Sequence, residues 1–190
     1  MPLETTLYTR VGDDGYTGVL GRERVAKYDL QPVAYGTLDE ASALLGLART
    51  SVKHTCSNDI LLEVQRDLYA AMADLATTPE AAAKSGVRLY DGRVEWLERI
   101  IDEVGKMVEI PPAFIIPGDS YAGALLDVAR TVSRRAERHI AKLSHQAMLS
   151  NPVVLQYLNR LSSLLFVLSR LEDKAAGVEQ FTLAKFENRK

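Results

Sequence analysis

Five long stretches of this chain place apolar residues three and four positions apart, and that repeated period restricts the chain to a helical architecture. The first runs from Pro32 to Val52, with Leu38, Ala41, Leu45 and Ala48 as its stripe. The second, Asn58 to Thr77, carries Leu61, Val64, Leu68, Ala71 and Leu75, and Pro79 just beyond it opposes continuation. The third, Gly92 to Met107, carries Val94, Leu97, Ile101 and Val104, and Pro111-Pro112 then forces an extended connection. Ser120 is a good N-cap for the fourth, which reaches Leu143 with the stripe Leu125, Val128, Val132, Ala136 and Ile140. The fifth opens on Asn151-Pro152, carries Val154, Leu158, Leu161, Leu165 and Leu168, and has an end signal at Gly177. Long helices with short connections predict an all-α, five-helix antiparallel bundle in a single domain. The bundle spans 31–176, between an irregular N-terminal arm (1–30) and a short tail (177–190).

At 190 residues, with 47% hydrophobic, the chain has enough apolar content for a substantial core. A net charge of -2 argues against a general nucleic-acid binder. No apolar run approaches the ~18–20 residues of a membrane span. The opening residues, Met1 to Thr5, lack the basic start and apolar run of a secretory leader. Cys56 is the only cysteine, so an internal disulfide and a thiolate zinc site are both excluded. The expected setting is the cytoplasm, without a membrane or nucleic-acid partner.

Three segments can carry chemistry. Arg130, Arg134 and Glu137 share a face of the fourth helix beside its apolar stripe, with Arg138 at the edge. Two guanidinium groups one turn apart suit phosphate oxygens, or equally a solvated face of internal Arg–Glu pairs. The arm reads Tyr8-Thr9-Arg10-Val11-Gly12-Asp13-Asp14-Gly15-Tyr16-Thr17-Gly18, with Lys27 further on. Its glycines let successive N–H groups converge on an anion, though such a loop also serves as a plain turn, and the Walker A pattern is absent. Phe114 lies in an apolar strip before the arginine helix, suited to a bundle plug or an apolar binding wall. Asp39, one turn into the first helix, wants a cationic partner at a core edge, and Arg130 is a candidate. Asn159-Arg160 interrupts the apolar run of the fifth helix. Paired Glu-x-x-His motifs for a di-metal centre and a Gly-x-Ser-x-Gly elbow are absent, so no metal site is expected from protein motifs.

In order along the chain, YTRVGDDGYTG, RVAKYD, VAYGTLDEASALLGLAR, VQRDLYAAMADLAT, FIIPGDS, ARTVSRRAER and NPVVLQYLNRLSSLLFVLSR resemble the PduO-type ATP:corrinoid adenosyltransferases. The resemblance covers Tyr8 to Arg170. It implies a ferritin-like five-helix bundle, assembled as a homotrimer with active sites between neighbouring subunits. It implies transfer of the 5′-deoxyadenosyl group of ATP to the Co(I) of cobalamin or another corrinoid, giving adenosylcobalamin and triphosphate. Mg²⁺ is expected with ATP, and the implied partners are a cob(II)alamin reductase and an adenosylcobalamin-dependent enzyme. A non-catalytic ATP- or cobalamin-binding trimer, acting as carrier or sensor, is the alternative.

Residue by residue, the resemblance puts Thr9, Arg10, Val11, Gly12, Thr17 and Lys27 in the ATP-binding arm. It puts Arg134, Arg135, Glu137 and Arg138 on the helix that grips ATP, and Asn159 at a further nucleotide contact. Arg130 matches an arginine important for turnover, Asp39 its salt-bridge partner, and Phe114 the aromatic residue beside the corrin that helps displace the lower axial base. Three positions depart from the pattern: Ser163 where Asp is usual, Ser42 where Asn is common, and Asp119 where a second Gly is common.

Overall fold

The computed structural model describes residues 8–78, 81 and 86–184. Residues 1–7 of the expected arm, residues 185–190 of the expected tail and Pro79 lie outside the described residues. Among the described residues the chain folds into five helices and one small hairpin: β1 (Tyr16–Val19), β2 (Arg22–Ala26), α1 (Leu30–Arg49), α2 (Thr55–Leu75), α3 (Asp91–Gly105), α4 (Tyr121–His145) and α5 (Val153–Ala175). The mostly helical bundle matches the periodicity.

The arm is not wholly irregular, as the sequence had suggested. β1 and β2 pair antiparallel, with Thr17 opposite Val25, around Leu20 and Gly21. Gly21 has φ 94°, a left-handed value that only glycine adopts without cost. The hairpin is anchored at Leu20, whose N–H donates to the Ala76 carbonyl and whose carbonyl accepts from Thr78, both at 2.8 Å.

The core stripes of α1, α2 and α5 are buried as the spacing requires, and Val94, Leu97 and Val104 do the same for α3. α4 differs. Its buried face is Ala122, Gly123, Leu126, Ala129, Ser133, Ala136, Ile140 and Leu143, while Leu125 and Val132 are only partly buried and Val128 is exposed. Small residues fill much of the inner face because α4 packs closely against both α1 and α5. The larger apolar residues expected inside therefore lie on a second face, continuous with the bundle exterior.

Polar groups lock the bundle from within. Asp67 on α2 accepts two bonds from Arg93 on α3, at 2.7 and 2.8 Å, and one from the Tyr157 hydroxyl of α5 at 2.7 Å. Burial, reinforced by the adjacent Asp67 carboxylate, pushes the Tyr157 hydroxyl well above the usual phenol range. Trp96 packs its ring under the Arg93 guanidinium, 4.3 Å from the ring centre.

At the start of α4, Ser120 accepts from the Gly123 N–H at 3.0 Å and donates to Asp173 at 2.6 Å. A Cβ at Gly123 would stand 2.1 Å from the Asp173 carboxylate. That carboxylate is fixed and cannot swing aside, so Gly123→Ala is expected to destabilise the fold by about 2 kcal/mol through overpacking. Chemical denaturation of the two proteins side by side checks this.

Candidate active site

The candidate residues fall at three levels of the bundle. One end holds the arm. Lys27 precedes α1 by a short turn, its N–H donates to the Gly15 carbonyl at 2.9 Å, and its ammonium donates to the Gly12 carbonyl at 2.8 Å. Turns fold the loop, with Asp13 N–H bonded to the Arg10 carbonyl at 3.3 Å and Gly15 N–H to the Gly12 carbonyl at 3.2 Å. Arg10 is held at φ 61°, a left-handed conformation costing a non-glycine residue about 1–2 kcal/mol. The Val11 N–H donates to the Thr9 hydroxyl oxygen at 3.4 Å. Thr17 is half-buried on β1, while Thr9, Arg10 and Val11 are exposed.

Two residues not singled out by motif shape this loop. Arg24 on β2 donates to both Asp14 carboxylate oxygens, at 2.8 and 2.7 Å, to the Tyr16 carbonyl at 2.9 Å, and to the Val11 carbonyl. The Arg24 bonds to the carboxylate, and then the Tyr16 N–H bonded to it at 3.1 Å, hold the Asp14 carboxyl below the usual carboxylate range. The spacing of ten residues across a hairpin hid the pair, because the hairpin itself gave no alternating pattern.

The middle level is the outer face of α4. Arg134 and Arg138 are exposed, and Arg138 donates to the Arg134 carbonyl at 3.1 Å. The Arg134 guanidinium has no hydrogen-bond or ion-pair partner among the described residues. Glu137 accepts from the Asn159 amide of α5 at 3.0 Å, which joins the two helices at this level. Arg160 holds the other side of Asn159 at 2.7 Å and pairs with Glu98 on α3 at 2.8 Å. Arg135 points the other way and pairs with Glu40 on α1.

Arg130 does not meet Asp39 within the chain. Asp39 is exposed rather than at a core edge, and Arg130 Nε donates to Asp127 one turn back on α4 at 2.8 Å. Asp127 is itself buried and bonded to Arg170 of α5 at 2.7 Å. The sequence reading missed this Arg130–Asp127–Arg170 chain, although Asp127 and Arg130 are spaced i, i+3.

Phe114 belongs to the opposite end from the arm. It precedes α4 by a short connection, and that end is tied by Glu172 of α5 to the N–H groups of Lys53 and His54, at 2.6 and 3.2 Å. Phe114 is 87% exposed, so it is not a bundle plug. With Pro112, Ala113 and Ala184 it lines an apolar hollow of about 530 Å³. α4 alone has 25 residues, a length of about 37 Å, and the arm and the Phe114 segment lie toward its opposite ends.

The family described as Cobalamin adenosyltransferase matches residues 7–172. The chain belongs to that family. It is 42% identical over 179 residues to the corrinoid adenosyltransferase of Mycobacterium tuberculosis (strain ATCC 25618 / H37Rv), covering 92% of each chain. It is 35% identical over 176 residues to that of Bacillus subtilis (strain 168), covering 90% of this chain and 89% of the relative. Among solved structures, a variant PduO-type ATP:corrinoid adenosyltransferase from Lactobacillus reuteri, complexed with cobalamin and ATP, superposes with a TM-score of 0.87 at 30% identity, covering 95% of this chain and all of that one.

The three levels differ in chemistry: cationic side chains and backbone N–H groups at the arm, guanidinium groups on α4, and an apolar surface at Phe114. Cys56, the single thiol, is partly buried, and desolvation followed by the nearby Glu172 charge pushes it above its usual range. That environment disfavours the thiolate a protein nucleophile would require.

Proposed function

We propose that three copies of this chain build ATP:corrinoid adenosyltransferase sites in which the arm of one copy serves the Arg134 face and Phe114 of a neighbour. The enzyme is a transferase, and its reaction is adenosyl transfer from ATP to a corrinoid. One observation carries the shared-site reading: a single chain holds its nucleotide arm and its Phe114 hollow at opposite ends, too far apart to serve one reaction. The apolar residues left outside α4 and α1 support assembly: Tyr121, Val128 and Leu47 are exposed. Asp39, without a partner in its own chain among the described residues, is then available to Arg130 of a neighbouring copy.

Thr9, Arg10, the Val11 and Gly12 backbone, Thr17 and Lys27 would close on the triphosphate. Lys27, which now holds the Gly12 carbonyl, exchanges that bond for a phosphate oxygen. Arg134 and Arg138 supply guanidinium donors from one face, Arg135 would join them only by releasing Glu40 on α1, and Glu137 with Asn159 contacts the nucleoside. Each charge-assisted bond contributes about 1.5–3 kcal/mol. In the reaction the cobalt(I) lone pair of the corrinoid substrate forms the Co–C bond at C5′ as the C5′–O bond breaks, and triphosphate leaves with that electron pair. No protein base is needed, so the chain's work is alignment, leaving-group stabilisation and exclusion of water. Phe114 occupies the corrin side, where an apolar ring opposes a lower axial base.

Among the described residues no group of three or more His, Cys, Asp or Glu side chains could hold a metal ion. A Mg²⁺ accompanying ATP would be ligated chiefly by phosphate oxygens. No helix among the described residues is long and apolar enough to cross a membrane. We place the enzyme in the cytoplasm, supplied by a cob(II)alamin reductase and serving an adenosylcobalamin-dependent enzyme. A carrier or sensor without turnover is not favoured, because the relatives and structural neighbours above are adenosyltransferases.

The test is anaerobic mixing of the protein with ATP, Mg²⁺ and chemically reduced cob(I)alamin. The expected result is the light-sensitive adenosylcobalamin spectrum with stoichiometric triphosphate, from a particle of three chain masses by light scattering. Binding of ATP and cobalamin without triphosphate release would turn the assignment to a carrier. A monomer at full activity would overturn the shared-site reading.

A further inference from the structure

The chain after α5 turns back along the Phe114 segment and pairs with it. The Ile116 N–H donates to the Thr182 carbonyl, and the Ala184 N–H donates to the Phe114 carbonyl, both at 2.8 Å. Ile115 and Leu183 form the antiparallel bridge between them. This pairing is short and lies at the surface, with Thr182, Leu183 and Ala184 all exposed. Two backbone bonds in water give little net stability by themselves.

A side-chain clamp stands at the base of the pairing. Asp119 accepts from the Thr182 hydroxyl at 2.6 Å with one carboxylate oxygen and from the Thr182 N–H at 3.0 Å with the other. A carboxylate accepting two bonds from one residue fixes both its position and its direction. Asp119 in turn is fixed by the chain, since its neighbour Ser120 is the N-cap of α4 and is bonded to buried Asp173. The line of support therefore runs from the bundle core through Ser120 and Asp119 to Thr182, and from the tail strand to the Phe114 carbonyl. A glycine at 119 has no side chain to make this clamp.

We propose that Asp119 is a positioning residue for the corrin side of the site. It holds residues 182–184 as a strand against residues 114–116, and so fixes the segment that carries the Phe114 ring. The part concerning the corrin rests on the function proposed above, whereas the clamp itself can be read without any corrinoid.

The experiment compares Asp119→Gly, Thr182→Val and Thr182→Ser with the parent protein. Amide hydrogen exchange is measured first on the protein alone. Exchange at Ile116, Thr182 and Ala184 is expected to accelerate tenfold or more in Asp119→Gly, with the helices unchanged. Thr182→Val should accelerate it less, and Thr182→Ser, which keeps the hydroxyl, should match the parent. Adenosylcobalamin formation is then followed from cob(II)alamin with a reductant and, separately, from chemically prepared cob(I)alamin. Asp119→Gly should lose rate severalfold by the first route and weaken the spectroscopic signature of four-coordinate cob(II)alamin. The cob(I)alamin rate and the KM for ATP should not change. Unaltered exchange in Asp119→Gly overturns the clamp. Faster exchange with equal effects on both routes overturns the positioning role. Faster exchange in Asp119→Gly, together with a parent protein that makes no adenosylcobalamin by either route, supports the clamp and refutes the function proposed above.

Discussion

Arg134→Ala is expected to lower kcat/KM for ATP by about a hundredfold or more, which corresponds to two lost charge-assisted bonds to the triphosphate. The fold should be indifferent to the change. The Arg134 side chain is exposed and has no partner among the described residues, so its removal leaves no buried group unpaired and the melting temperature should hold. Arg134→Lys keeps the charge but not the planar fork, and should recover only part of the loss. Steady-state kinetics at varied ATP, with a melting curve on each variant, checks both statements. An Arg134→Ala enzyme with parental ATP kinetics would remove this residue from the nucleotide site.

The largest effect on stability is expected at Arg170. Its guanidinium is 1% exposed and bonds Asp127 at 2.7 Å, with Asp173 at 3.2 Å, between the rings of Phe166 and Phe181. Arg170→Met keeps much of the volume and removes the charge, leaving two buried carboxylates facing a thioether. A loss of about 3–5 kcal/mol follows, because an uncompensated buried charge costs more than the pair gained. The loss should depend on pH in a definite direction. Burial already raises the Asp173 carboxyl above its usual range, against the lowering influence of Ser120 and then Arg170. Without Arg170 it rises further. A carboxyl raised in the folded state favours folding below its unfolded value, and that contribution is lost as pH climbs through the folded value. The deficit of Arg170→Met is therefore greatest near neutrality and shrinks toward pH 4. Urea midpoints across that range provide the check, and a deficit independent of pH would show that Asp173 is not the group responsible.

How much of this was legible beforehand depended on whether a residue's surroundings were local. The stripes of α2 and α5 predicted their own burial, because Leu61, Leu68, Leu158 and Leu165 are large and meet only the interior. In α4 the same reasoning put Val128 inside and left Ala129 out of the stripe. Small residues such as Ala129 and Ser133 carry little hydrophobic signal, yet close helix contact needs them, while Leu125, Val128 and Val132 are apolar on a face the bundle leaves uncovered. The hairpin was missed because Arg22-Glu23-Arg24-Val25-Ala26 is short, charged and not alternating. At the site, the ordered motifs led to Arg134, Glu137 and Asn159, and the structure brings the last two together. Asp127 and Arg170 were invisible as a pair, being 43 positions apart on different helices. So was Asp119, whose partner Thr182 lies in a tail with no periodicity of its own.

The separation of arm and Phe114 also has a genetic consequence. In the shared-site assembly proposed above, a chain damaged only in its arm would still present a sound Phe114 surface to its neighbour, and a chain damaged only at Phe114 would still lend a sound arm. Two individually inactive alleles, one of each kind, would then restore some activity when expressed together, because mixed assemblies contain sites drawn wholly from undamaged halves. Two alleles damaged in the same half would not, so complementation between alleles would map which lesions share a half of the site.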